Sequence, residues 1–332
     1  MNLSTLLQTI TKEYHFHVYH TTPLEHGFRL ETNVGSKYAF IWNQKEQLQR
    51  SFYWREEVAK KGFRQIDRFI RTRDGAPFVQ INKEYLVIQD AFDGEQMAYG
   101  SAEVWERVGQ ICGMIYIACV ESSSTFQDQQ QNLPTDRDQP FPLSLVNLED
   151  LTLMKRKLLA QDNMFTHLVH LHWKELEKRW KHAQAIERAS HAKNSFLLFY
   201  PTLHLEQWVM LERGLALQSK NRSLLQGLQG ISEFMQEAFL QEEVGLEQVE
   251  AFLTGFESTS QASLEEHYLI MAHMIYPRTF MRILGAYLSG MGTIEESVEK
   301  WMDECEKQEK LDQLYVWFAE RIDRLREETV SL

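Results

Sequence analysis

The fold is decided near the start of the chain, in the stretch Thr32-Asn33-Val34-Gly35-Ser36-Lys37-Tyr38-Ala39-Phe40-Ile41. Two segments with alternating apolar residues, 28–32 and 37–42, flank the tripeptide Asn33-Val34-Gly35. Asn and Gly tolerate the positive φ angles that a tight hairpin turn requires. The sequence therefore predicts two antiparallel strands joined by a short turn.

The segments around this hairpin alternate between strand and helix patterns. A short helix over 3–10, a strand over 15–19 and a longer helix over 46–61 are predicted from the spacing of their apolar residues. Alternation and turn signals predict three more strands, over 66–72, 78–81 and 85–88. A strand-rich region with one main helix is therefore expected up to about residue 90.

From residue 101 onward the apolar spacing is that of helices. A helix over 101–120 is followed by a stretch over 122–142 that is rich in Ser, Gln and Asp and contains three prolines. This composition predicts a surface loop, which is a candidate binding surface. Further helical segments are predicted over 148–189, 244–256, 264–274, 277–288 and 294–327.

Composition excludes several classes of function. The 332 residues include 35 Lys or Arg against 47 Asp or Glu, which gives a formal net charge of −12. This negative charge disfavours nucleic acid as a partner. No apolar run approaches the roughly 20 residues of a transmembrane helix. Because Cys112, Cys119 and Cys305 form no CxxC pair, neither a disulfide framework nor a zinc site is predicted.

The hairpin and its neighbouring strands resemble the small lobe of the aminoglycoside phosphotransferase/choline kinase-like superfamily. The step Ile275-Tyr276-Pro277 between two apolar helical segments is similar to the late helices of the CotS/YutH/YsxE group of spore-coat-associated proteins. The resemblance implies an α+β, protein-kinase-like two-lobed fold. A strand-rich lobe would cover residues 1–90, and a mainly helical lobe would cover residues 91–332.

In this superfamily the polar segment after the last strand of the small lobe is the hinge, whose backbone meets the adenine of ATP. The resemblance places the hinge at Gln89, Asp90, Ala91 and Phe92. A plain connection from strand to helix explains the same residues equally well. We therefore expect at most a vestigial cofactor-binding segment here.

The residues that handle phosphate in the superfamily are replaced in this chain. A phosphotransferase needs a lysine on the third strand, an aspartate base and a metal-binding asparagine in the catalytic loop, and a second metal-binding aspartate. The resemblance aligns these positions with Ile41, Thr202, Gln207 and Gln218. Isoleucine donates no hydrogen bond, a threonine hydroxyl lacks the pKa of a general base, and glutamine is a poor ligand for Mg²⁺.

These replacements predict a catalytically inactive kinase-like protein, a pseudokinase, with no catalytic residue, metal or cofactor. The resemblance further implies spore coat proteins as partners, with synthesis in the cytoplasm of the mother cell and a final location in the spore coat. The alternative is a divergent small-molecule phosphotransferase that uses ATP. It stays open because Asp90, Asp93 and Glu206 are carboxylates without an assigned role.

Overall fold

The computed structural model of the protein describes residues 2–25, 27–126, 148–190, 199–201, 203–219, 224–226 and 228–330. Its strands are β1 (Val18–Leu24), β2 (Gly27–Thr32), β3 (Gly35–Trp42), β4 (Val79–Ile81), β5 (Glu84–Asp90), β6 (Glu95–Gln96), β7 (Phe199–Pro201), β8 (Trp208–Leu211), β9 (Gly214–Leu217) and β10 (Leu224–Gln226). Its helices are α1 (Leu3–Glu13), α2 (Lys45–Lys60), α3 (Ala102–Phe126), α4 (Leu148–Leu159), α5 (Met164–Ala189), α6 (Gln229–Phe239), α7 (Leu246–Ser260), α8 (Leu264–Ile275), α9 (Arg278–Leu288) and α10 (Ile294–Val330).

An antiparallel sheet in the order β1-β2-β3-β5-β4 forms the strand-rich region. The predicted hairpin is confirmed: Thr32 pairs with Gly35, and Gly35 has a φ of 90°, a value that favours glycine. The first strand begins at Val18 rather than at residue 15, because its limits are set by pairing with β2.

The two faces of this sheet bury different side chains. One face packs against α1 in an apolar cluster that contains Ala39 and the partly buried Ile41 of β3. The opposite face packs against α2 in a second cluster that contains Tyr38, Phe40 and Trp42. Alternation along β3 thus sends its odd-numbered side chains towards α1 and its even-numbered ones towards α2.

The segment 66–72 is not a strand, contrary to the prediction from its alternating pattern. Ile66 forms an isolated bridge with Leu217 of β9, whereas Phe69 forms one with Gln89 of β5. These two strands belong to different sheets, since β9 lies in a smaller sheet of the order β6-β8-β9. A segment that bridges first one sheet and then another cannot form a continuous ladder with either.

Two predicted helix limits are also corrected. Helix α3 continues through residues 122–126, which were assigned to the loop, because no Gly or Pro interrupts the chain there. Residues 127–142 of the predicted loop lie outside the described residues. The helical segment over 148–189 is two helices, and α5 begins at a capping box in which Asn163 and Thr166 bond each other's backbone N–H groups.

The described residues pack as two compact units. The first comprises those within Met1–Gln131, Pro201–Leu224 and Ala251–Ser260, and the second comprises those within Asn132–Tyr200, Leu225–Glu250 and Gln261–Leu332. The first unit includes helix α3 and the β8–β9 hairpin as well as the five-stranded sheet. The expected division into lobes at residue 90 remains a prediction.

Glycines allow a close approach of helices within the first unit. A Cβ added at Gly109 of α3 would clash with the carbonyl oxygen of Phe252 in α7, and one added at Gly255 of α7 would clash with that of Glu106 in α3. The hydroxyl of Thr259 donates to the carbonyl oxygen of Gln110 across the same contact, at 3.0 Å. These residues hold α7 against α3.

The second unit is helical and has its own apolar core. Helix α5 packs against α8 and α10, and Phe165 and Trp301 lie fully buried with their rings edge to face. The core cluster around these rings consists of Leu151, Leu158, Phe165, Val169, Trp173, Leu176, Trp180, Phe280, Ile283, Leu284 and Trp301.

Candidate functional site

The predicted hinge lies at the end of β5, and its backbone is bound by a side chain that is distant in the sequence. The Phe92 N–H donates to Oε1 of Gln218 at 2.6 Å, and Nε2 of Gln218 donates to the Asp90 carbonyl oxygen at 3.1 Å. Gln218 follows β9 and is only 3% exposed. A single carboxamide therefore satisfies one donor and one acceptor of the hinge.

A buried ion pair lies beside this contact. Nε of Arg55, on α2, is 3.2 Å from Oδ1 of Asp67, and both side chains are almost completely shielded from solvent. The same guanidinium donates to the carbonyl oxygens of Ser51 at 3.0 Å and Ser219 at 2.8 Å. Arg55 thus connects α2 with the segment around Asp67 and with the residue that follows Gln218.

The Asp67 carboxylate is also held by neutral groups. It accepts from Nε2 of Gln218 at 3.5 Å and from Nε2 of Gln89 at 3.4 Å, and it bonds the Ser219 backbone N–H. Burial raises the pKa of Asp67 to about 6 despite the opposing effect of Arg55, and burial lowers the pKa of Arg55. Each charge is therefore costly to keep in this place without its partner.

Strand β3 offers no cation at the expected lysine position. Ile41 lies in the cluster with α1, so its side chain is on the face of the sheet opposite to α2. The face towards α2, which is also the side of Gln89 and Asp67, carries Phe40 at the middle of the strand. Since neither face carries a basic residue over 38–42, the missing lysine does not depend on the choice of face.

The neighbouring lysine is already engaged. Lys37 is 6% exposed, and its Nζ lies 2.9 Å from both the Asp90 carboxylate and the Val34 carbonyl oxygen. These contacts hold the amine at the hairpin turn and at the start of the hinge.

Gln207 lies in a 3₁₀ turn, Leu205–Gln207, and is buried. Its Oε1 accepts from the His204 backbone N–H at 3.2 Å, and its carbonyl oxygen accepts from the Gln218 N–H at 2.8 Å. The side chain therefore caps its own turn. Thr202, the expected replacement of the catalytic base, lies outside the described residues.

The three unassigned carboxylates have different surroundings. Asp90 pairs with Lys37, while Asp93 pairs with Arg29 at 2.7 Å, and Glu206 is exposed on the 3₁₀ turn. Within the described residues, no group of three or more His, Cys, Asp or Glu side chains could hold a metal ion. Over the same residues, no helix combines the length and apolar character needed to cross a bilayer.

The sequence matches no family model and no curated protein. Solved structures, in contrast, match almost the whole chain. The aminoglycoside phosphotransferase from Alicyclobacillus acidocaldarius subsp. acidocaldarius superposes with a TM-score of 0.71 at 11% identity, over 96% of each chain. The chain therefore has the α+β kinase-like fold of these phosphotransferases.

Two further structures with this kinase-like fold were solved with nucleotides. Spectinomycin phosphotransferase in complex with ADP and spectinomycin has a TM-score of 0.59 at 8% identity, over 94% of this chain and 99% of that one. The amicoumacin kinase hAmiN with AMP-PNP has a TM-score of 0.58 at 12% identity, over 95% and 97%. The predicted α+β kinase-like fold is confirmed, whereas the CotS/YutH/YsxE assignment and the four replaced positions remain predictions.

Sequence reasoning missed the buried pair of Arg55 and Asp67. One signal was present, because the spacing of the predicted helix puts Arg55 on the same side as Leu48, Phe52 and Val58. An arginine among apolar helix positions needs a buried acceptor, and carboxylates are the usual partners. The partner itself could not be identified, since Asp67 was assigned to a strand.

Proposed function

We propose that this protein is a kinase-like binding or scaffold protein that does not transfer phosphoryl groups. The observation that carries the proposal is the burial and hydrogen bonding of the Gln218 side chain. Both ends of its carboxamide bond the protein itself, and the side chain is buried, so it has no oxygen free for Mg²⁺. Phosphoryl transfer depends on metal ions and cations that neutralise the developing charge.

The surroundings of Gln218 support the same proposal. The Asp67 carboxylate contacts Gln218, but it is buried and paired with Arg55. Lys37 is the cation of β3 next to the hinge, but it bonds Asp90 and a carbonyl oxygen. A Mg²⁺-nucleotide would have to break these contacts before it met either group.

The alternative is a divergent ATP-using small-molecule phosphotransferase. It draws support from the full-length likeness to kinases that bind nucleotides, although that likeness is one of fold. An ATP turnover assay with Mg²⁺ and with hydroxyl and amine acceptors separates the two proposals. We expect no turnover above that of a heat-denatured sample.

Matched variants make this assay decisive. Turnover that persists through stringent purification and is abolished by Asp90→Asn, Asp93→Asn or Glu206→Gln would refute the pseudokinase proposal. If all three variants retain the turnover in full, a further chromatography step is needed. Turnover that separates from the protein on that column comes from a contaminant, whereas turnover that stays with the protein refutes the pseudokinase proposal.

The spore coat is proposed as the location, on the resemblance to the CotS/YutH/YsxE group. A fluorescent fusion expressed from its own promoter in a sporulating, endospore-forming host tests it. We expect a fluorescent shell at the forespore surface that co-purifies with coat extracts. Uniform fluorescence of the mother cell with none in the coat fraction would contradict the location and leave the biochemical proposal intact.

A further inference from the structure

The contact between Gln218 and the hinge has the chemistry of a ligand contact. The hinge presents the Asp90 carbonyl oxygen as an acceptor and, two residues later, the Phe92 N–H as a donor. A primary carboxamide binds such a pair with its N–H and its oxygen at once, which is what Gln218 does at 3.1 and 2.6 Å. The same pair of groups suits any planar group with adjacent N–H donor and acceptor atoms.

Adenine carries such an edge, with the 6-amino group as donor and N1 as acceptor. Geometrically, the carbon that joins the two heteroatoms of a carboxamide corresponds to C6 of the purine. We propose that the Gln218 side chain occupies the hydrogen-bonding groups of the hinge, the Asp90 carbonyl oxygen and the Phe92 N–H, and so prevents 6-aminopurine-type heterocycles from binding there. This inference rests on the proposed function and gives the absence of phosphoryl transfer a physical cause at the hinge.

Contacts other than those to the hinge also hold Gln218 in place. Its backbone N–H donates to the Gln207 carbonyl oxygen at 2.8 Å, and the carbonyl oxygen of the next residue, Ser219, accepts from Arg55 at 2.8 Å. The remaining donor capacity of Nε2 is directed at Asp67. The carboxamide is therefore held in one orientation, with its oxygen towards Phe92 and its nitrogen towards Asp90 and Asp67.

Removing the Gln218 carboxamide should free the two hydrogen-bonding groups of the hinge. A ligand in the wild type has to displace two hydrogen bonds of the carboxamide, whereas in Gln218→Ala it meets a free donor and acceptor. Two hydrogen bonds of ordinary net strength correspond to a change in affinity of about ten- to a hundredfold. We expect adenosine to bind Gln218→Ala more tightly than wild type by this factor.

Calorimetric titration of the full chain with adenosine is the test. Adenosine has no phosphate and the titration contains no Mg²⁺, so its result does not depend on phosphoryl transfer. Gln207→Ala is the matched control, because Gln207 is equally buried but its side chain bonds His204 rather than the hinge. The control should bind adenosine no better than wild type.

A methylated ligand tests the edge itself. N6,N6-dimethyladenosine has no N–H to donate to Asp90, so it should not gain affinity in Gln218→Ala. The proposal would be overturned if Gln218→Ala bound adenosine and N6,N6-dimethyladenosine equally well. It would also be overturned if the wild type bound adenosine as tightly as Gln218→Ala does. The absence of any gain in a folded Gln218→Ala would overturn it as well.

Gln218→Asn replaces the alanine variant if the latter does not fold. Its side chain is one methylene shorter, so it cannot span both hinge groups from the same backbone position. The same gain in adenosine affinity is expected, and no gain overturns the proposal. ATP turnover by the wild type would refute the proposed function. The role of Gln218 at the hinge would still be decided by the adenosine titrations.

Discussion

Replacing Arg55 by methionine should destabilise the protein more than any change of a surface arginine. The methionine removes the cation from a fully buried Asp67 carboxylate, together with hydrogen bonds to Ser51 and Ser219. Removing one partner of a buried ion pair costs about 3–5 kcal/mol, because the other charge is left uncompensated. We expect a decrease of that size in the free energy of unfolding.

Arg68→Met is the matched control. Arg68 lies close in the sequence and pairs with Glu56, but its side chain is 42% exposed and Glu56 keeps Arg71 as a second partner. Solvent screens the exposed guanidinium, so this pair should contribute only about 1 kcal/mol. Urea unfolding followed by tryptophan fluorescence and circular dichroism gives both values in one experiment.

The double variant Arg55→Met/Asp67→Asn tests the reason for the effect. Removing the buried charge along with its partner should recover about 0.5–3 kcal/mol relative to Arg55→Met alone, the range of coupling energies between contacting residues. The reasoning is refuted if Arg55→Met costs no more than Arg68→Met, or if the two changes are simply additive.

Two further predictions concern Gly109 of α3 and the buried Asp67. Gly109→Ala should lower the free energy of unfolding by about 1–3 kcal/mol, because the added Cβ meets a backbone carbonyl of α7. As a control, Gly285→Ala in α9, where the added Cβ meets open space, should raise the free energy of unfolding by about 0.5–1 kcal/mol. Equal effects of the two variants in urea unfolding would contradict the close contact between α3 and α7. Burial raises the pKa of Asp67 from its ordinary 3.8 to about 6, so the folded protein binds this proton more tightly than the unfolded chain. The stability of wild type relative to Asp67→Asn should therefore fall by up to about 3 kcal/mol as the pH rises from about 4 to about 6, and then level off. A relative stability that rises over this pH range would contradict the assignment.

The sheet could be predicted from the sequence because its signals are local. The turn at Asn33-Val34-Gly35 and the alternation on either side of it define one hairpin without reference to the rest of the chain. The segment 66–72 shows the limit of this reasoning. Its apolar spacing is that of a strand, but the bridge from Ile66 to Leu217 joins residues far apart in sequence.

The candidate site could be predicted only in part for the same reason. Sequence pointed to Gln218 and to the hinge separately, one as a lost metal ligand and the other as a vestigial adenine contact. Their hydrogen bond joins residues 126 positions apart, and no local pattern indicates it. Packing also decides the face of Ile41, since β3 is covered by helices on both sides.

We propose that the kinase-like fold of this protein has kept its hinge but lost its Mg²⁺-nucleotide site. The most direct test is the free energy of unfolding of the wild type with and without millimolar Mg²⁺-ATP. A working site would add about 2.7 kcal/mol at a hundredfold excess of ligand over Kd. We predict no Mg²⁺-dependent increase in the free energy of unfolding; a clear increase that disappears when Mg²⁺ is chelated would show a working nucleotide site and refute this proposal.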